Sequence, residues 1–192
     1  MSVALRSLGR ERSGFVTLGE LVDAAGPGGA ALLLFLFAVA SLVPGVAPAF
    51  GAAICVLSLP LMTGAHALPL PGLLRRQRIS RARLARLLDR GLPRLERLES
   101  RLRPRLRWLT RGAMLGLAGI TCLIAGLLIV LPIPFGNTAP ALSVLLLALG
   151  ISAADGLLVL VGFGAFALAV AFDAGMVVLS WDLIEAAIYA VL

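Results

Sequence analysis

Lysine is absent from this chain of 192 residues, and all 17 of its basic residues are arginine. Histidine occurs once, cysteine twice and tyrosine once, and aromatic residues make up 6%. These shortages exclude much chemistry. One histidine gives no Ser-His-Asp arrangement, and two cysteines without ligand spacing give no metal cluster. No glycine-rich phosphate motif follows a strand-like run, so neither a nucleotide cofactor nor any other cofactor is expected. Cys55 and Cys122 each lie in an apolar run and read as small core hydrophobes. An enzyme is therefore the minority reading.

What the chain has in excess is apolar residues: 60% hydrophobic content and a mean hydropathy of +1.02. A soluble domain holds roughly 45 to 50%, so lipid rather than water is the expected solvent. No polar linker divides the chain, and the whole of 1–192 reads as a single membrane domain.

The first apolar block, Ala30 to Met62, is 33 residues long, more than the roughly 20 that cross a bilayer once. "LVPGVAPAFG" at 42–51 must turn it, because Pro44 and Pro48 remove backbone donors and disfavour helix in the residue before each. The result is a first broken repeat over 29–64, either a re-entrant hairpin or two short crossings. A second covers 112–153: a full-length candidate from Gly112 to Leu131, the break "LPIPFGNTAPA" at 131–141, then an arm from Pro140 to Ser152. "APAFGAAICVLSL" (47–59) superimposes on "APALSVLLLALGI" (139–151), and the shared order of arm, break and arm points to an internal duplication. Beyond it, 154–192 reads as C-terminal membrane helices, Leu157 to Phe172 and Gly175 to Leu192, divided at Asp173, with Trp181 and Tyr189 suited to an interface.

Residues 1–28 read as an N-terminal interfacial segment. Charges at 6–12 are followed by Glu20 and Asp23, which is not the order of a cleaved signal peptide. Phe15, Leu18, Leu21, Val22 and Ala25 have helical spacing, so 15–25 is expected to form a short amphipathic helix. Residues 65–111 are different. The stretch 75–111 holds 14 arginines against Asp89, Glu96 and Glu99, while leucines recur every three or four residues from Leu84 to Leu106. That pattern predicts an amphipathic helix pair broken near Gly91 and Pro93 and again before Pro104. A short arginine-dense loop between membrane segments belongs on the cytoplasmic side. Its arginines either anchor the topology or lie on anionic lipid, with Arg75, Arg76, Arg78, Arg101, Arg103 and Arg105 as the candidate head-group contacts. Nucleic acid is not an expected partner, since stacking aromatics are missing from the stretch except Trp108.

The fold class expected is thus an all-α integral membrane protein with about five or six membrane-embedded helices, some proline-broken or re-entrant. Unpaired amides in hydrocarbon cost several kcal/mol each, so the two breaks must be shielded by protein or line a wet cavity. Pro44, Pro48, Pro132, Pro134, Asn137, Thr138, Pro140 and Asp155 are the candidate substrate or pore residues. Ordinary turns at a membrane surface explain the same residues, Asp155-Gly156 especially, and His66 reads as interfacial.

Four segments carry a resemblance. "LPLPGLLRRQRISRARL" (68–84), "RLERLESRLRPRL" (94–106), "LPIPFGNTAPALSVLLLALG" (131–150) and "DGLLVLVG" (155–162) are similar to the ExoD family of bacterial membrane proteins. The resemblance implies an inner-membrane protein of exopolysaccharide synthesis. Combined with the breaks, the expectation is a dimeric protein that carries or holds an anionic or lipid-linked substrate. The alternative is a non-transporting scaffold whose arginine-rich helices dock a polysaccharide synthase.

Overall fold

The computed structural model describes residues 14–25, 29–43, 45–64, 72–76, 78–80, 104–131 and 136–191. Helix dominates. In chain order they are α1 (Leu18–Ala25), α2 (Gly29–Ser41), α3 (Ala47–Met62), the one-turn α4 (Gly72–Arg75), α5 (Gly112–Val130), α6 (Thr138–Ala153) and α7 (Gly156–Val191), with a 3-10 turn at Arg107–Thr110. Two three-residue strands, β1 (Phe15–Thr17) and β2 (Arg78–Ser80), pair antiparallel. The predicted helix over 15–25 therefore begins only at Leu18. Its start is fixed by a reciprocal capping box: Glu20 N–H donates to Thr17 Oγ1 at 3.2 Å, and Thr17 N–H to Glu20 Oε2 at 3.0 Å.

Both expected breaks are present. Gly45, at φ 87°, makes the reversal between α2 and α3 that few other residues would allow, and Pro48 falls in the first turn of α3, where its missing N–H costs nothing. The expected division at Asp173 is absent. α7 runs unbroken through Asp173 to Val191, because no proline intervenes and interrupting an apolar helix would strand amides. The C-terminal segment is one helix.

Among the described residues, two helices are long and apolar enough to cross a bilayer, α5 and the Gly156–Ser180 part of α7. α2, α3 and α6 are apolar but shorter.

α3 packs most extensively on α5, α6 on α7, and α2 lies against both α3 and α6. Their shared core includes Leu33, Phe37, Ile54, Leu57, Leu115, Ile129, Val144 and Leu147. Lipid gives little hydrophobic drive between helices, so small residues that let backbones meet decide which pairs form. A Cβ on Gly119 would lie 2.6 Å from Met62 N, and one on Gly126 would lie 2.7 Å from Cys55 Sγ and 2.9 Å from Gly51 O.

α6 and α7 form a helical hairpin. Ala154 closes α6 in the left-handed region at φ 52°, and Asp155 N–H donates to Gly150 O at 2.9 Å. Ala154 carries a Cβ where glycine would be unstrained, so Ala154→Gly is expected to raise stability by about 1 kcal/mol. A higher midpoint in detergent-induced unfolding checks this.

Candidate functional site

The antiparallel pairings fix which ends of the helices are neighbours. On α3 and α5, Gly51 meets Gly126 and Ile129 while Gly119 meets Leu61 and Met62. Stepping four residues from the Gly51–Gly126 contact brings α3 back to Ala47 and α5 forward to Val130, so the break before α3 is level with the end of α5. The break before α6 follows α5 directly. Phe37 and Phe50, with ring centroids 5.6 Å apart, join α2 to α3 near the same level. The two proline breaks therefore occupy one layer at one end of the helix bundle.

Two helices begin in this layer, α3 after Val46 and α6 after Asn137, and neither start carries a side-chain cap. Their first amides are left with no intrahelical acceptor, and the helix dipole adds partial positive charge there. Asn137 is the natural residue to cap α6, yet its side chain does not do so, and its Oδ1 is buried without a hydrogen-bond partner. Pro140 is buried, Thr138 exposed and Pro48 exposed. Pro44, Pro132 and Pro134 lie outside the described residues.

Asp155 is not part of this layer. It sits at the opposite end of α6, about 24 Å away at 1.5 Å per residue. There its Oδ1 accepts from Leu157 N–H at 3.1 Å, capping α7, and neighbouring Gly156 N–H donates to Arg105 O at 2.8 Å. The turn reading of Asp155 is the structural one.

In place of Asp155, α7 brings Asp173. Ser143 Oγ donates to Gly162 O at 3.0 Å, and a Cβ on Gly162 would meet Leu147 at 2.9 Å. Eleven residues further, about 16 Å, α7 reaches Asp173 while α6, from Leu147, returns to Gly136. Asp173 is 2% exposed, and neither carboxylate oxygen has a hydrogen-bond partner. The sequence carried a signal for it: Val159, Gly162, Phe166, Ala169 and Asp173 recur at helical spacing, which places Asp173 on the inward stripe.

The described arginines gather at the other end of the bundle. Arg105, Arg107 and Arg111 are exposed beside the Asp155 turn and the start of α5. Arg76 and Arg78 are exposed as well, and Arg75 pairs with Asp23 at 2.6 Å, tying α4 to α1. Arg101, Arg103 and His66 lie outside the described residues, as do residues 81–103 of the helix pair expected over 79–109 and the side chains of Trp181 and Tyr189. The described ends of that pair are not α-helical, Ile79 and Ser80 lying in β2 and Arg107–Leu109 in the 3-10 turn. An open groove of about 550 Å³ at this end is lined by Met62, Thr63, Gly64, Gly112, Ala113, Gly116, Leu117 and Ile120, with no ionisable group. No group of three or more potential metal ligands occurs among the described residues.

A family model described as "Exopolysaccharide synthesis, ExoD" matches residues 1–175. The chain belongs to the ExoD family. Among curated relatives of this ExoD-family chain, Protein ExoD of Rhizobium meliloti is 35% identical over 161 residues, covering 79% of this chain and 66% of that protein. An uncharacterized protein of Synechocystis is 33% identical over 117 residues, covering 60% of this chain and 55% of its own length. The match thus spans just under two thirds of the first relative and about half of the second. No solved structure matches. ExoD membership and two apolar helices of spanning length among the described residues point toward a membrane protein.

Proposed function

We propose that this protein serves exopolysaccharide synthesis as a multi-pass inner-membrane protein that holds or carries an anionic, lipid-linked intermediate in the break layer. The observation that carries this reading is the coincidence of the two proline breaks at one level, each opening onto a helix start without a side-chain cap. Such starts offer backbone N–H groups and partial positive charge, which suit a phosphate or carboxylate. The pairing pattern agrees with a duplicated, re-entrant design: α3 on α5 answers α6 on α2 when the repeats 29–64 and 112–153 are exchanged. The arginine-rich segment 75–111 faces the cytoplasm under the positive-inside rule and meets anionic head groups there. A homodimer is part of the same proposal, with the outward flank of α7, Leu157, Leu160, Val161 and Leu168, as its contact surface.

Cysteines placed at Gly45 and Gly136 test whether the break layer is shielded. Slow labelling by a membrane-impermeant maleimide, slowed further by lipid-linked saccharide, is the expected result. Labelling of both positions at the rate of a free surface thiol would mean an open surface there and would remove the carrier reading.

One observation favours the scaffold as a second reading: the described arginines, Arg75, Arg76, Arg78, Arg105, Arg107 and Arg111, stand at the far end of the bundle from the breaks, away from a substrate held in that layer. Charge reversal at Arg75, Arg76 and Arg78 separates the two. A scaffold loses its synthase partner in pull-down, whereas a carrier keeps it.

A further inference from the structure

Buried polar side chains in this protein satisfy themselves locally. Ser41 donates to Ala38 O, Ser58 to Ile54 O, Thr110 to Arg107 O and Thr121 to Leu117 O, each a bond back to its own helix or turn at 2.8 to 3.0 Å. Ser143 reaches Gly162 O, and Asp155 caps α7. Asp173 breaks the pattern among the described residues. It is buried as they are, at 2% exposure, it is one of the two carboxylates among them, and both of its oxygens lack a partner. The second orphan, Asn137 Oδ1, belongs to the same layer by the register of α6 against α7.

All three orphaned atoms are acceptors. A capping or packing role would leave them bonded to N–H or O–H groups, as Asp155 is, so what is missing is positive charge or a donor that the described residues do not supply. Charge balance sets how much. The elements that pack most on α7 are α6, α5 and the 3-10 turn; their one charged side chain is Arg107, in the turn at the Asp155 end, and their one titratable thiol is Cys122. Asp155 stands about 27 Å away along α7, and the next carboxylates on that helix are Asp182 and Glu185. One isolated carboxylate in a medium of low dielectric is neutralised by a single unit of charge. A divalent ion would leave an excess as costly as the one it removed.

We propose that Asp173, with the amide oxygen of Asn137, binds one monovalent cation in the break layer, either a proton or an alkali-metal ion. The cation has a consequence that rests on the carrier reading. An ionised Asp173 repels an anion docked at the α3 and α6 starts, so the bound cation is what lets the anion enter, and the two move together.

Binding of the cation itself is measured without substrate, so the site and the carrier can fail separately. The probes are the proton, Na⁺ and K⁺, applied to the purified full chain in nanodiscs, with choline chloride as the inert salt. If the cation is a proton, the infrared spectrum at neutral pH contains the C=O band of a neutral carboxylic acid, shifted in D₂O and absent in Asp173→Asn. If it is an alkali ion, titration calorimetry gives saturable Na⁺ or K⁺ binding that Asp173→Asn abolishes and Asn137→Leu weakens about tenfold, the worth of one lost polar contact. The wild-type spectrum and titration are readable even where a variant fails to fold. A wild-type protein with neither the neutral band nor saturable ion binding overturns the proposal, as does either signal surviving unchanged in folded Asp173→Asn.

Discussion

Gly119→Val is expected to cost about 3 kcal/mol and to leave little folded protein in the membrane. The first carbon added would stand 2.6 Å from Met62 N and 2.8 Å from Leu61 C, atoms of a helical backbone that cannot swing aside as a side chain does. α3 would have to back away from α5 along its length, opening the Gly51–Gly126 contact at the other end of the pair. Gly164 provides the control, since a Cβ there meets nothing within 4 Å, and Gly164→Val should accumulate like the wild type. Protein per cell in the membrane fraction, with the detergent-unfolding midpoint, checks both. Equal accumulation of the two variants would mean that α3 and α5 do not touch as described.

Asn137→Leu is expected to abolish exopolysaccharide output while the protein stays in the membrane at wild-type amount. Leucine keeps the branched outline of asparagine, forms helix well and removes the orphaned oxygen, so folding should lose little. Pro140→Ala should act in the same direction by reshaping the first turn of α6, where Pro140 is buried. Colony polysaccharide and protein amount, measured on the same cultures, decide the matter. Normal output from Asn137→Leu would make the break an ordinary turn.

Much of the architecture could be read from proline alone. Each break was marked by residues that cannot continue a helix, and the ends of α2, α3, α5 and α6 fall within a few residues of where Pro48, Pro140 and their neighbours place them. Partners were another matter. α2, α3, α5 and α6 are apolar on every side, so no stripe says which face meets which helix, and the pairing of α3 with α5 was legible only through Gly119 and Gly126. The start of α1 was written in Thr17-x-x-Glu20 and passed over in favour of apolar spacing that extended the helix too far.

The site divided in the same way. Asn137 and Pro140 were singled out because polar and proline residues inside an apolar run are conspicuous. Asp155 and Asp173 looked alike in sequence, each a lone carboxylate followed at once or soon after by glycine. What separates them is register: Asp155 falls at the hairpin turn, where a backbone amide needs an acceptor, and Asp173 falls on the inward stripe of α7, where its oxygens find no partner. The spacing of Val159, Gly162, Phe166 and Ala169 marks that stripe in the sequence, and the antiparallel fit of α6 on α7 sets the level of both carboxylates.

The unequal reach of the helices bears on the surrounding bilayer. α3 and α6, at 16 residues each, rise about 24 Å, against a hydrocarbon slab of about 30 Å and an α7 of 36 residues that rises about 54 Å. Acyl chains bordering the short pair must compress or leave a dimple, while those along α7 can stand at full height. A polar head group approaching on that flank would have several ångströms less oil to traverse than one approaching along α7.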